Sequence, residues 1–309
     1  MKIVEAVPAY VHHLKVLGQS PFTLTRIKYS LRKLAAFLAD EQVHHIEDIT
    51  PEILSDYQEE LAFCLTAKGK PLSPGAQEKL LSAVKGFTRY LMETDYLVRD
   101  PAAKIKLPKK ARRLPKLILC AEELRKLMAA PDMRTHRGYR NRVILEILYD
   151  TAIRRSELAG IRLIDLDVKA GYVLIHGKGG KDRVVPMSAR VCELVHNYII
   201  GIRPTLVADE DDGYLILNRW GKKMHHSAVY FAVRRCVELA GLKKSISTHT
   251  FRHTCATHML KNGAPVRHVQ EMLGHESLES TQIYTRVTIN DLKEIHSKYH
   301  PSESLKDHP

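Results

Sequence analysis

Three times in its first 75 residues the chain places a hydroxyl residue immediately before a proline: Ser20-Pro21, Thr50-Pro51 and Ser73-Pro74. Each pair predicts a helix start, because the hydroxyl can cap the first turn and proline suits the first helical position. Apolar residues at helical spacing follow each one. They are Leu24, Ile27, Leu31, Leu34, Ala35 and Leu38, then Ile53, Leu54, Tyr57 and Leu61, then Leu80, Leu81, Val84, Phe87, Tyr90 and Leu91. A short amphipathic stretch from Val4 to Leu17, ended by Gly18, precedes them. Residues 1–100 therefore predict four helices with short connections, a small helical bundle.

Residues 101–116, PAAKIKLPKKARRLPK, break the pattern with three prolines, seven basic residues and no acid, the composition of a linker. Such a stretch is either a solvated connector or a strand crossing nucleic-acid phosphates. Beyond it the pattern is mixed. Helices are expected at 121–130, 137–151, 188–201, 226–240, 248–262 and 265–273. Short β-rich runs lie at Ile164 to Val168, Tyr172 to His176 and Arg183 to Met187. Gly177-Lys178-Gly179-Gly180 lies between the last two and reads as a hairpin tip.

With 309 residues, 44% of them hydrophobic, the chain can bury a sizeable core and accommodates more than one domain. No apolar run approaches the ~20 residues a membrane span needs. The N-terminus lacks the apolar region of a secretory signal, and the five cysteines are scattered without a CxxC pair, so a cytoplasmic location is expected. Charge is uneven. Residues 1–100 hold 12 basic and 13 acidic side chains, whereas residues 101–309 hold 36 and 22. A basic half of this kind points to a polyanionic partner, most simply nucleic acid, or else only to solubility.

Singly, the candidate chemical residues carry little. Arg154 in TAIRRSELAGI lies near the junction of two helical stretches, and Lys178 in HGKGGKDRVVP sits at the hairpin tip. A phosphate-binding P-loop is excluded, because neither Gly-Lys pair has the required upstream glycine or following Ser/Thr. His249 and Arg252 in THTFRHT share a helical face. His249 and His253 have zinc-like spacing, but Thr250 stands where HExxH has its glutamate. His275 precedes Tyr284 by nine residues in LGHESLESTQIYT. Together, two arginines, a lysine, two histidines and a late tyrosine match what metal-free attack on a phosphodiester needs. Guanidinium forks fit the extra charge on the non-bridging oxygens. Tyrosine can be the nucleophile, and lysine can protonate the leaving 5′-oxygen.

On the motifs TAIRRSEL, HGKGGKDRVVP, THTFRHTCATHML, LGHESLESTQIYT and LKEIHSKYHP, the chain resembles the tyrosine site-specific recombinases, close to the bacterial Xer type. The resemblance covers nearly the whole chain, more weakly over the first hundred residues. It implies a mainly α fold with a small antiparallel β-sheet. An N-terminal four-helix, SAM-like core-binding bundle (1–100) and a basic linker (101–116) would precede a DNA breaking-rejoining catalytic domain with a C-terminal tail (117–309). It implies that Arg154 and Arg252 clamp the scissile phosphate, that Lys178 is the general acid, and that His249 is a general base or phosphate ligand. His275 would donate a hydrogen bond to the phosphate, Tyr284 would form a 3′-phosphotyrosine link, and Glu157 would orient Arg154. Neither ATP nor a metal is implied, since the covalent link stores the bond energy.

The implied partners are double-stranded DNA with an inverted-repeat core site and a homo- or hetero-tetramer with another tyrosine recombinase. The role would be integration and excision or resolution of replicon dimers. A type IB topoisomerase, or a DNA-binding protein without cleavage, are the competing readings. An additional N-terminal arm-binding domain, found in some phage integrases, is not expected. Two departures stand out. The family usually has Gly at Ala152, which ordinary backbone angles would make tolerable, and often a small apolar residue at Arg155, which leaves Arg155 as a second claimant to the clamp. The tail around Leu292 and Ile295 is expected as a short helix docking on a neighbouring protomer, or else covering its own core.

Overall fold

The computed structural model describes residues 1–66, 69–108, 117–177, 182–207, 210–274 and 289–301. The chain divides into two units, Met1–Leu114 and Pro115–Pro309. The described residues are mostly helical, with one small antiparallel sheet.

The first unit contains α1 (Ile3–Val16), α2 (Pro21–Asp40), α3 (Pro51–Phe63) and α4 (Pro74–Glu93). The three hydroxyl–proline pairs cap their helices. Ser20 Oγ accepts from the Thr23 N–H, Thr50 Oγ1 from Ile53 and Ser73 Oγ from Ala76. Each such cap stabilises by about 1 kcal/mol. The apolar faces meet in one core that includes Leu31, Leu34, Leu54, Tyr57, Leu81, Val84 and Phe87. Ala102 is fully buried in the same core, and Lys85 Nζ donates to the carbonyls of Ala102, Ala103 and Ile105. The start of the proline- and lysine-rich stretch is thus fastened to the helical unit.

The second unit is built around α6 (His136–Asp150). Eleven of its fifteen residues are buried, so no polar stripe remains. Around it lie α5 (Ala121–Ala129), α7 (Arg155–Leu158), α8 (Ala189–Asn197), α9 (His226–Leu239) and α10 (Thr248–Lys261). Strands β1 (Leu166–Asp167), β2 (Tyr172–Ile175) and β3 (Arg183–Pro186) pair antiparallel in that order, with Val173 opposite both Leu166 and Val185. Helices α11 (Val266–Leu273) and α12 (Ile289–Tyr299) complete the unit.

Two local expectations are revised. Leu163–Asp165 form a tight 3₁₀ turn rather than the start of a strand, because Asp165 Oδ2 accepts the Arg162 backbone N–H at 2.8 Å. The helix expected to run to residue 201 leaves α-geometry after Asn197 for a π-helical turn over Tyr198–Ile202. That turn contains Gly201 and precedes Pro204, and both residues weaken a regular helix.

Helix α12 packs on β3, α10 and α11 of its own unit, with Ile295 and Tyr299 against the core and His296 and His300 buried.

Candidate active site

Thr151 to Arg154 form the short connection from α6 to α7. Arg154 is the N-cap of α7. Its backbone N–H donates to Glu157 Oε2 at 2.8 Å, and its Nη1 donates to Glu157 Oε1 at 2.8 Å. The side chain remains 41% exposed, so the guanidinium keeps a face for solvent or ligand. Arg155 points elsewhere, its guanidinium 6.0 Å from the Tyr230 ring centroid. The two side chains thus leave the start of α7 in different directions, and it is the charge of Arg154 that acts on Arg252.

Arg252 lies in the second turn of α10 and is 7% exposed. Its Nη1 donates to the Ala152 carbonyl at 2.9 Å and its Nη2 to the Leu273 carbonyl at 2.5 Å. Burial, and then the charge of Arg154, push its guanidinium down to about 10, so it is still cationic at neutral pH. Ala152 has φ of +52°, in the left-handed region. The condition under which an alanine would be tolerated freely at this position, ordinary backbone angles, is therefore not met. The chain must turn sharply to carry Arg154 out of the buried end of α6 while presenting the Ala152 carbonyl to Arg252.

A third arginine, unforeseen from the sequence, completes the cluster. Arg183 opens β3 and grips Glu157 through both terminal nitrogens, at 3.2 and 2.8 Å. Burial raises the Glu157 carboxyl, but the bonds from Arg183 and Arg154 outweigh it and hold the group below its usual range. Arg183 lay within HGKGGKDRVVP. A basic residue leaving a hairpin reads as a solvated one, and only the packing of β3 against Glu157 shows its role.

The three arginines share one more anchor. Arg183 Nε donates to the Met272 carbonyl at 3.1 Å, Arg252 Nη2 to Leu273 and Arg154 Nη2 to Gly274 at 3.4 Å. These are consecutive carbonyls at the C-terminus of α11, where intrahelical donors run out and the helix dipole is negative. Gly274 caps this end with φ of +61°, and a Cβ there would lie 3.2 Å from the Arg183 side chain.

His249 is exposed in the first turn of α10, one turn before Arg252. Among the described residues, the group of metal-ligating side chains found together is Asp150, His296 and His300, and it includes neither His249 nor His253. Lys178, His275 and Tyr284 lie outside the described residues. At the foot of the hairpin, His176 bonds Asp182 through Nδ1 at 2.8 Å and Asp165 through Nε2 at 3.2 Å.

This cluster of arginines on a mostly helical unit coincides with a known family. Residues 118–290 match the model of the phage integrase family. The chain is 36% identical over 300 residues to tyrosine recombinase XerC 2 of Ralstonia nicotianae, covering 97% of this chain and 86% of that protein. It is 32% identical over 288 residues to tyrosine recombinase XerD of Staphylococcus haemolyticus, covering 92% and 94%. A lambda integrase (75-356) dimer bound to a COC' core site has the same fold, with a TM-score of 0.69 and 18% identity over 93% of this chain and 100% of that one. The XerH recombinase in its pre-cleavage complex with difH gives 0.65 and 24%, over 89% and 79%. The chain belongs to the phage integrase family. Within that family it is a tyrosine recombinase of the Xer type, a site-specific enzyme that cleaves and rejoins DNA.

Proposed function

We propose that the chain recombines two duplex sites through a 3′-phosphotyrosine intermediate formed by Tyr284. Arg154 and Arg252 clamp the non-bridging oxygens of the scissile phosphate, where charge builds up as Tyr284 attacks. Lys178 protonates the departing 5′-oxygen, His249 acts as general base or phosphate ligand, and His275 donates a hydrogen bond to the phosphate. Glu157 holds Arg154 in place. Transesterification conserves the bond energy, so cleavage draws on neither ATP nor a metal ion. The observation that carries this reading is the convergence of Arg154 and Arg252 beside Glu157, each fixed by more than one bond before any ligand arrives.

The division of labour follows the same reading. Residues 1–100 bind the core site, 101–116 link, and 117–309 carry the chemistry. The substrate is double-stranded DNA with an inverted-repeat core, and the working assembly is a tetramer of this chain alone or with a second tyrosine recombinase. A lambda integrase tetramer on a Holliday junction has this fold and supports that assembly. The reaction takes place in the cytoplasm, and no described helix is long and apolar enough to cross a membrane.

A labelled, nicked duplex carrying the site tests the reading. Wild-type protein should give an SDS-resistant protein–DNA adduct and exchange strands between two duplexes. Tyr284→Phe should bind DNA and give no adduct. An adduct of undiminished yield in that variant would move the nucleophile elsewhere, with Tyr299 the next tyrosine to test.

A further inference from the structure

The most unusual polar group in the second unit lies outside the arginine cluster, where α12 meets the end of α6. We propose that Asp150, His296 and His300 form a buried structural site for a divalent transition metal, zinc by its ligand chemistry, which latches α12 onto α6. His296 lies on α12 and His300 directly follows it, its backbone N–H donating to the His296 carbonyl at 2.8 Å, so the turn continues and the two share a face, the spacing that zinc-binding histidine pairs use. Asp150 is the last residue of α6. Exposure is 0% for Asp150 and 2% for each histidine.

The donor atoms are close to what an ion requires. His300 Nδ1 lies 3.5 Å and His296 Nε2 3.7 Å from Asp150 Oδ1, and all three ligand atoms fall within 4.8 Å of one another. A tetrahedral zinc with bonds of about 2.0–2.2 Å separates its donors by roughly 3.3–3.6 Å. Asp150 Oδ2 accepts the Ser188 N–H at 2.8 Å, but Oδ1 has no hydrogen-bond partner among the described residues. A fully buried carboxylate oxygen of that kind is costly unless a cation faces it.

The second ring nitrogen of His300 fits the same reading. Nε2 lies 3.2 Å from the Tyr149 carbonyl oxygen. An N–H donated there leaves the Nδ1 lone pair facing Asp150 Oδ1, and a backbone carbonyl is a usual outer partner for a ligating histidine. Cys255 Sγ is 3.3 Å from Nε2, on the ring edge away from the ion, and is not a ligand. His296 Nε2 is 3.0 Å from the Asp150 carbonyl oxygen, a contact that coordination replaces. A cavity of about 520 Å³ between β3, α8 and α12 is lined by His296, Lys293 and Glu193. Neither Asp150 nor His300 lines it, so an ion would reach the site past the His296 ring.

The test uses the full chain, stripped with chelator and then titrated with Zn²⁺ or Co²⁺. One equivalent of Co²⁺ should give the visible absorption of a four-coordinate nitrogen–oxygen site. Zn²⁺ should displace it and raise the Tm. Asp150→Asn, nearly isosteric, and His300→Gln should each weaken Co²⁺ binding at least about tenfold while far-UV circular dichroism is unchanged. Stripped wild-type protein whose spectrum and Tm do not respond to excess Zn²⁺ or Co²⁺ would overturn the proposal without reliance on any variant. Undiminished Co²⁺ binding in Asp150→Asn would also overturn it, placing the ion elsewhere, such as the exposed His225 and the half-buried His226.

Discussion

Arg252 donates a hydrogen bond to the carbonyl of Ala152 at 2.9 Å, and Ala152 makes that carbonyl available by adopting φ of +52°. The two residues are 100 apart in sequence, and their contact joins α10 to the turn that delivers Arg154. The site thus rests on a backbone conformation that costs an alanine roughly 1–2 kcal/mol.

Ala152→Gly should relieve that strain. Glycine adopts the conformation freely but loses about 0.5–1 kcal/mol through the entropy of its unfolded chain. The expected net gain is about 0.5 kcal/mol, read as a higher urea midpoint with DNA cleavage unchanged. A clearly lower midpoint would mean that packing of the buried methyl group outweighs the strain.

Gly274→Ala should have the opposite sign. The new Cβ must occupy a left-handed position and press on Arg183. A loss of about 1–2 kcal/mol is expected from the backbone alone. Cleavage should fall further than DNA binding, because Arg183, Glu157 and Arg154 move together.

Glu157 carries the pH dependence of the cluster. Its pKa is lower in the folded chain than in the unfolded one, so its contribution is fully present above the unfolded value of about 4.3 and fades as pH falls through the lower folded value. Glu157→Gln should therefore destabilise the protein at neutral pH and flatten the acid limb of its stability curve. It should slow cleavage roughly tenfold, less than the hundredfold or greater loss expected on removing Arg154 itself. An unchanged acid limb would show that other carboxylates govern it.

His176 bonds a carboxylate through each ring nitrogen, which requires both nitrogens to carry protons. Asp182 and then Asp165 raise its pKa above the usual histidine value. Whatever the pair of bonds contributes is fully present below about pH 6.5 and lost as pH rises through the higher folded pKa. An NMR titration should show His176 titrating above 6.5, with Asp182→Asn lowering it. A value at or below 6.5 in the wild type would contradict the two-carboxylate arrangement.

Lys178→Ala tests the general acid. The variant should cleave ordinary DNA poorly. A substrate with sulfur at the bridging 5′ position leaves without that proton and should restore most of the rate. Absence of rescue would leave Lys178 an electrostatic role only.

The sequence by itself determined the helical character of the first hundred residues, because each hydroxyl–proline start and the 3.6-residue spacing behind it are local signals. Ordered motifs likewise carried the family and the candidate residues Arg154, Lys178, His249, Arg252, His275 and Tyr284. Tertiary structure decided what depends on contacts between distant segments. It sent Arg154 to Glu157 and Arg155 toward Tyr230 from the start of α7. It brought Arg183 to Glu157 across 26 residues of sequence and set three arginines on the last carbonyls of α11. It also folded α12 back on its own unit, where His296 and His300 meet Asp150. No periodicity encodes such meetings, because burial and hydrogen-bond satisfaction are properties of the assembled core and not of any stretch of chain.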